Sequence, residues 1–262
     1  MQSLRFVQLY GRRLALSAVE DVRQRYAGSI LGSLWAVLYP VATLAFYMII
    51  YVYIFKIRPN TLDEYGYVVL VTSGLIPLMA FSECLSAGAG SLVAQRNLLL
   101  NTVFPAELIP LRAVLALQTP SLCGLAIVLI GAAALGRIAW SAVVLVPVLW
   151  TLLLMFIAGV VWTLSLISLV FRDIQHVLGL ICMSATVLSP AAYTPEMVPN
   201  GLKFIIYANP LSYYVLSFQD LVCYGRVPPL SYLTAVITLA FASFGFGAWF
   251  FKRTKYVFFD YA

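Results

Sequence analysis

The side chains that could make or break bonds are few, and they are scattered. His176 is the single histidine, with no second histidine or cysteine near it in sequence, so local spacing assembles no zinc ligand set. Cys84, Cys123, Cys182 and Cys223 form no CxxC pair and read as apolar filler in helices. A glycan or lipid transferase needs acidic or histidine pairs for proton transfer. Asp63 and Glu64 are adjacent acids, but they sit in a short loop without a histidine. No GxxxxGK[ST] occurs, so the chain has no phosphate-cradling loop, and neither H-E-x-x-H, G-x-S-x-G nor a dinucleotide fingerprint is present. Carboxylates are almost absent from the apolar runs, which argues against proton or sodium coupling. No catalytic residue and no metal ligand is therefore assigned, and active transport would take its energy from a partner.

The elements that position these residues follow from composition. The 262-residue chain is 63% hydrophobic and 10% charged, whereas soluble domains carry roughly 25% charged residues. So much apolar surface needs the bilayer as solvent, and the expected class is an all-α integral membrane protein. A helix needs about 20 residues to cross. Uncharged runs predict six transmembrane helices, at 30–55, 65–85, 110–134, 141–170, 175–194 and 229–251. The length suits one membrane domain, 1–262. Seven charges precede residue 26, so the first apolar run is expected to stay as an anchor and not to be a cleaved signal.

Charge orients the spans. With both termini in the cytoplasm, eleven Lys and Arg lie inside and five outside, which accounts for the net charge of +6 without nucleic acid. Residues 1–28 read as an amphipathic interface helix, because Ala15, Val19, Val22 and Tyr26 recur at helical spacing. Glu20 could pair with Arg23, and Asp21 with Arg25. This helix is either a plain anchor or a docking surface. Residues 95–107 form either a loop or a short cytoplasmic helix. Pro105 would end that helix, and Glu107 would sit in the first turn of span three, where a negative charge suits the dipole. Residues 195–228 are broken by Pro195, Pro199 and Pro210. They read as re-entrant half-helices on the outer side or as an amphipathic surface loop. GSILG (28–32) and Ala87–Gly90 are small-residue patches that permit close helix contact, between copies or within one.

Several segments carry a family resemblance. RYAGSILGSLWAVLYP (25–40), NLLLNTVFPAELIPL (97–111), FRDI (171–174), LSPAAYTPEMVP (188–199) and YANPLSYYVLSFQD (207–220) resemble, in order, the ABC-2 permeases of polysaccharide export. The O-antigen and teichoic-acid branch fits better than the capsule branch, mainly at RYAGSILGSLW and SPAAYTPEMVP. The resemblance implies a homodimeric channel in the inner membrane, served by two copies of a cytoplasmic ABC ATPase. ATP and Mg would be held by that partner and no cofactor by this chain. The substrate would be a lipid-linked polysaccharide moved outward. Glu20, Arg23, Arg25, Asn97, Leu99, Leu100 and Glu107 would then couple to the ATPase. A sugar pore wants aromatic faces and few fixed charges, with weak and repeated binding. Tyr39, Tyr47, Tyr51, Trp162, Tyr193, Tyr207, Tyr213 and Tyr214 are the channel and gate candidates. Other readings are a capsule or teichoic-acid exporter, a drug or lipid exporter, and a membrane-embedded transferase.

Overall fold

The structure, a computed structural model, describes residues 19–22, 24–55, 59, 62–95, 105–171 and 173–259, of which 256–259 by backbone alone. Arg23, Asn97, Leu99, Leu100 and the expected interface helix before residue 19 lie outside the described residues. Residues 19–22 and 24–26 are helical and lead into a turn. A 3-10 turn, Gly32–Leu34, opens α1, Trp35–Met48, which continues as a π-helical stretch, Ile49–Ile54. Next come α2, Glu64–Ala94; α3, Leu108–Ala116; α4, Gln118–Ala134; α5, Trp140–Val170; and α6, Ile174–Leu188. The 3-10 turns Pro195–Met197 and Asn200–Leu202 precede α7, Lys203–Ala208. The last helices are α8, Pro210–Val222, and α9, Leu230–Phe259. No strand occurs among the described residues.

Among the described residues, five helical stretches are long and apolar enough to cross a membrane: Gly32–Ile54, Glu64–Ala94, Leu108–Ala134, Trp140–Val170 and Leu230–Lys255. Helices are what such runs must form, because hydrocarbon offers the backbone no other hydrogen-bond partner. Two expected bounds shift. α2 runs past residue 85 to Ala94, because no breaker stands between them. α6 stops at Leu188 and not at 194, because Ser189 precedes Pro190 and is forced to an extended backbone, ψ 142°. Its 15 residues reach about 22 Å, short of the roughly 30 Å hydrocarbon core.

α2 is the centre of the bundle. Of its apolar window 78% is buried, against 11% for the first stretch and 17% for the last. It packs on α3, α4, α5, α6 and α8. α9 lies along α5, and the two backbones meet where a Cβ on Gly247 would fall 2.6 Å from Gly159 Cα. The main core holds Leu70, Leu75, Leu149, Tyr214 and Phe218. A second, separate core holds Leu92, Ile109, Trp162, Leu166 and Phe251.

The two small-residue patches behave differently from expectation. Gly28 and Gly32 have φ of 79° and 51°, a left-handed backbone that glycine tolerates and a helix excludes. GSILG is therefore the turn into α1 and not a helix-packing face. In the second patch a Cβ on Gly88 would strike Val161 of α5, and one on Gly90 would lie 2.9 Å from the Gln175 amide. That patch is used within one chain.

Candidate functional site

Ion pairs define two ends of the bundle. At one end, here called the base, Arg112 of α3 holds Asp21 through two hydrogen bonds. Lys255 Nζ of α9 donates to Glu107 Oε1 at 2.7 Å, and Trp162 Nε1 of α5 donates to Glu107 O at 2.9 Å. At the opposite end, the crown, Arg137 pairs with Asp63. Arg226 Nε donates to Asp220 Oδ1 at 2.7 Å, and that bond pushes the guanidinium above its ordinary range. Gly225 has φ 60° and lies against Arg137 O, so the chain entering α9 is tied to the loop before α5.

The base corrects two expectations. Asp21 turns to Arg112 and not to Arg25, because α3 brings a fork of guanidinium donors to the carboxylate. Glu107 lies just before α3 and not in its first turn, and its carboxylate faces Lys255. Glu20 accepts from Gln24 Nε2 at 3.1 Å. Arg25 is exposed and faces Glu83 of α2, which also faces the Tyr39 hydroxyl. Sequence reasoning missed Glu83. The signal was its standing as the single charged residue between Glu64 and Arg96.

The aromatic candidates divide into two groups. Tyr47 and Tyr51 stack at 6.0 Å with their planes 8° apart, and Phe55 extends the column at 6.1 Å. The π-helical stretch carries this column, and Tyr193 and Tyr67 approach Tyr51. Tyr39 and Tyr207 are exposed. Tyr213 donates to Tyr207 O at 3.0 Å and meets Tyr232 edge-on at 6.0 Å. Trp162 and Tyr214 leave the channel set. Trp162 is wedged against Phe244, with ring centroids 5.1 Å apart. Tyr214 is 0% exposed, and its hydroxyl reaches the carbonyls of Leu152 in α5 and Val236 in α9. A side chain enclosed by three helices has no face for a sugar.

The segment 195–228 also divides. α8 has 11 of its 13 residues buried, so it is part of the fixed core. Asn209 caps it, accepting from Leu211 N at 3.0 Å, with Pro210 in the first turn. Asn209 Nδ2 also donates to Ser189 Oγ at 2.8 Å. The exposed part is 195–208, which presents Met197, Leu202, Phe204 and Tyr207.

Between α6 and this segment, residues 189–194 have no ladder of their own. Side chains satisfy their carbonyls. Gln219 Nε2 donates to Pro190 O at 2.9 Å, Ala191 O at 3.1 Å and Leu70 O at 3.3 Å. The Tyr67 hydroxyl donates to Ala192 O at 2.8 Å, and the Tyr193 hydroxyl to Leu188 O at 2.6 Å. Gly74 leaves room for the amide, since a Cβ there would lie 2.8 Å from Gln219 Nε2. Gln219 is the second residue that sequence reasoning missed. Nothing in its local pattern points to a partner about 28 residues away.

The chain was compared with known proteins on this footing. The profile of the ABC-2 type transporter family matches residues 14–223. The O-antigen export system permease protein RfbA of Klebsiella pneumoniae is 29% identical over 79% of each chain. The protein of that name from Myxococcus xanthus is 29% identical over 86% of this chain and 87% of its own. The polysialic acid transport protein KpsM of Escherichia coli is 25% identical over 84% of this chain and 86% of its own. A profile that spans most of the helical bundle, from before Asp21 to the end of α8, places the chain in the ABC-2 type transporter family.

Proposed function

We propose that this chain is the membrane-spanning subunit of an ATP-driven exporter that moves a lipid-linked, O-antigen-like polysaccharide out of the inner membrane. The observation that carries the reading is the likeness to O-antigen export permeases along most of both chains. ATP and Mg sit on a separate ABC ATPase, and two copies of each subunit make the complex. The exposed apolar faces of α1 and α6, including Phe46, Leu180 and Met183, meet lipid or the second copy.

Six crossings fit the contacts better than five. Asp21, Glu107 and Lys255 share the base, while Asp63, Arg137 and Arg226 share the crown. The chain leaves α5 at the base and must reach the crown before α9. α6 with the extended residues 189–194 supplies that sixth crossing. Backbone without a helix survives at such depth only when protein satisfies it, as Gln219 and Tyr67 do here. With the base in the cytoplasm, the lysine and arginine count is eleven inside to five outside. α7 then descends from the outer surface, Asn209 and Pro210 turn the chain, and α8 climbs back to the crown.

The stacked Tyr47 and Tyr51, with Phe55 edge-on to Tyr51 and Tyr193 nearby, offer sugar rings uncharged aromatic surface. Deleting the chain from its cell should leave the lipid-linked glycan inside, with surface glycan restored by complementation. The complemented cells should yield a complex whose native mass holds two permeases and two ATPases. Surface glycan that is unchanged by the deletion refutes the reading.

Residues 195–208 are the moving part of the outer gate, and α8 is its fixed frame. Cysteine placed at Tyr207 should react faster with a polar thiol reagent during ATP-driven export than at rest. Cysteine at Tyr214 should stay unreactive in both states. Equal labelling at 207 during export and at rest would return 195–208 to the rank of a static surface loop.

A further inference from the structure

The base of α3 is joined to three other elements at once. Glu107 is the last residue before α3, and it closes the segment, 95–107, read above as the ATPase contact. Its carboxylate holds Lys255 of α9, and its carbonyl takes the indole N–H of Trp162 in α5. Both side chains of the Glu107–Lys255 pair are largely covered, at 15% and 21% exposure, so solvent screens them less than a surface pair. Five residues on, Arg112 holds Asp21 of the N-terminal helix.

Packing makes this end a unit of its own. Leu92, Ile109, Trp162, Leu166 and Phe251 form a core that is separate from the main one and drawn from α2, α3, α5 and α9. From there α5 and α9 run as a rigid pair towards the crown. Gly159 and Gly247 bring their backbones into contact, the Ser243 hydroxyl donates to Phe156 O at 2.9 Å, and Trp162 packs on Phe244. At the far end of that pair the Tyr214 hydroxyl touches both helices and fixes α8 to them.

We propose that Glu107 is a positioning residue for energy transfer. Through Lys255 it hands displacement of the ATPase-contacting segment to the α5–α9 pair, and so to the frame of the outer gate. Its carboxylate is thus turned inward, to α9, and does not touch the ATPase. The inference rests on the functional reading above, and it adds the route by which the stroke leaves the base. A packed pair of helices bridged by one ion pair transmits movement only while the bridge holds, so the claim is one of energetic coupling and calls for a double-mutant cycle.

The test uses full-length permease co-expressed with its ABC ATPase. Surface glycan is read in cells, and ATP hydrolysis is read on the purified complex. Glu107→Lys and Lys255→Glu should each lower surface glycan by about five-fold or more. The purified complexes should still form and hydrolyse ATP at a rate near that of wild type. The double variant, Glu107→Lys with Lys255→Glu, restores an ion pair and should regain most of the export. A merely structural contact would lower complex yield and export together. Should a single reversal fail to accumulate, Glu107→Gln is read instead and should show the same loss of export per ATP. Normal export by the single variants, or a double variant as poor as the worse single one, overturns the inference. Leu99→Asp with Leu100→Asp separates the two levels, because it should detach or uncouple the ATPase regardless of Glu107. If wild-type permease binds no ATPase at all, the functional reading falls and the inference falls with it.

Discussion

Gly159→Ala is expected to melt well below wild type, and Gly159→Leu to leave no folded protein. A Cβ at residue 159 would overlap the backbone carbonyl of Ser243, and backbone cannot move aside as a side-chain tip can. α5 and α9 would have to separate along their length, which would break the Ser243 to Phe156 bond and unseat Trp162 from Phe244. Overpacking of this kind costs about 1–3 kcal/mol, and more where the obstacle is rigid. For a chain of this size that corresponds to a fall in Tm of roughly 2–12 °C. Gly245→Ala, on the facing helix α9, is the control, because nothing lies within 4 Å of a Cβ there. Thermal unfolding of the purified protein in detergent decides the matter. An alanine at 159 that melts with the control would mean that the helices are not in backbone contact.

Gln219→Leu should be nearly as damaging, although it nearly conserves volume and removes two polar atoms from an apolar core. The amide is the donor to Pro190 O and Ala191 O, which belong to no helix and lie away from water. Two dry carbonyls left unpaired cost about 1–3 kcal/mol each. The loss should also free residues 189–194, which carry Tyr193 towards the aromatic column. Vesicles holding the variant should leak ions at rest, whereas wild-type vesicles hold them. Gln219→Glu should fare no better, since a carboxylate keeps the acceptors and loses the donors. A leucine variant as stable and as tight as wild type would show that the carbonyls have another partner.

Several elements were legible in the sequence for simple reasons. An apolar run bounded by charges has one stable state in hydrocarbon, so the spans from Trp140 to Val170 and from Leu230 onward are readable from composition. The break at Pro210 was readable because asparagine before it favours a turn and proline pre-sets the backbone, and the structure caps α8 there. The outlines of the base were readable as charges at span ends. The partners across the base were not. Asp21 had a plausible mate four residues away in Arg25, and only the placement of α3 gave it Arg112.

The sequence by itself determined that the chain is helical and between which charges its long apolar stretches lie. These are local matters, settled by hydropathy, proline and charge within a window of about 20 residues. The tertiary structure alone decided which apolar faces meet protein. Lipid tails are as apolar as leucine, so hydropathy cannot tell a core residue from a lipid-facing one. That is why Tyr214 and Trp162 looked like channel aromatics and proved to be packing, while Tyr47 and Tyr51 stack on each other at the half-buried edge of the core. It is also why α8, apolar and proline-bounded, looked like part of a mobile segment and proved to be buried in the core. Gln219 carries the same lesson for polar atoms. Its type shows that it needs acceptors, but only the fold brings the unpaired carbonyls of Pro190 and Ala191 within its reach.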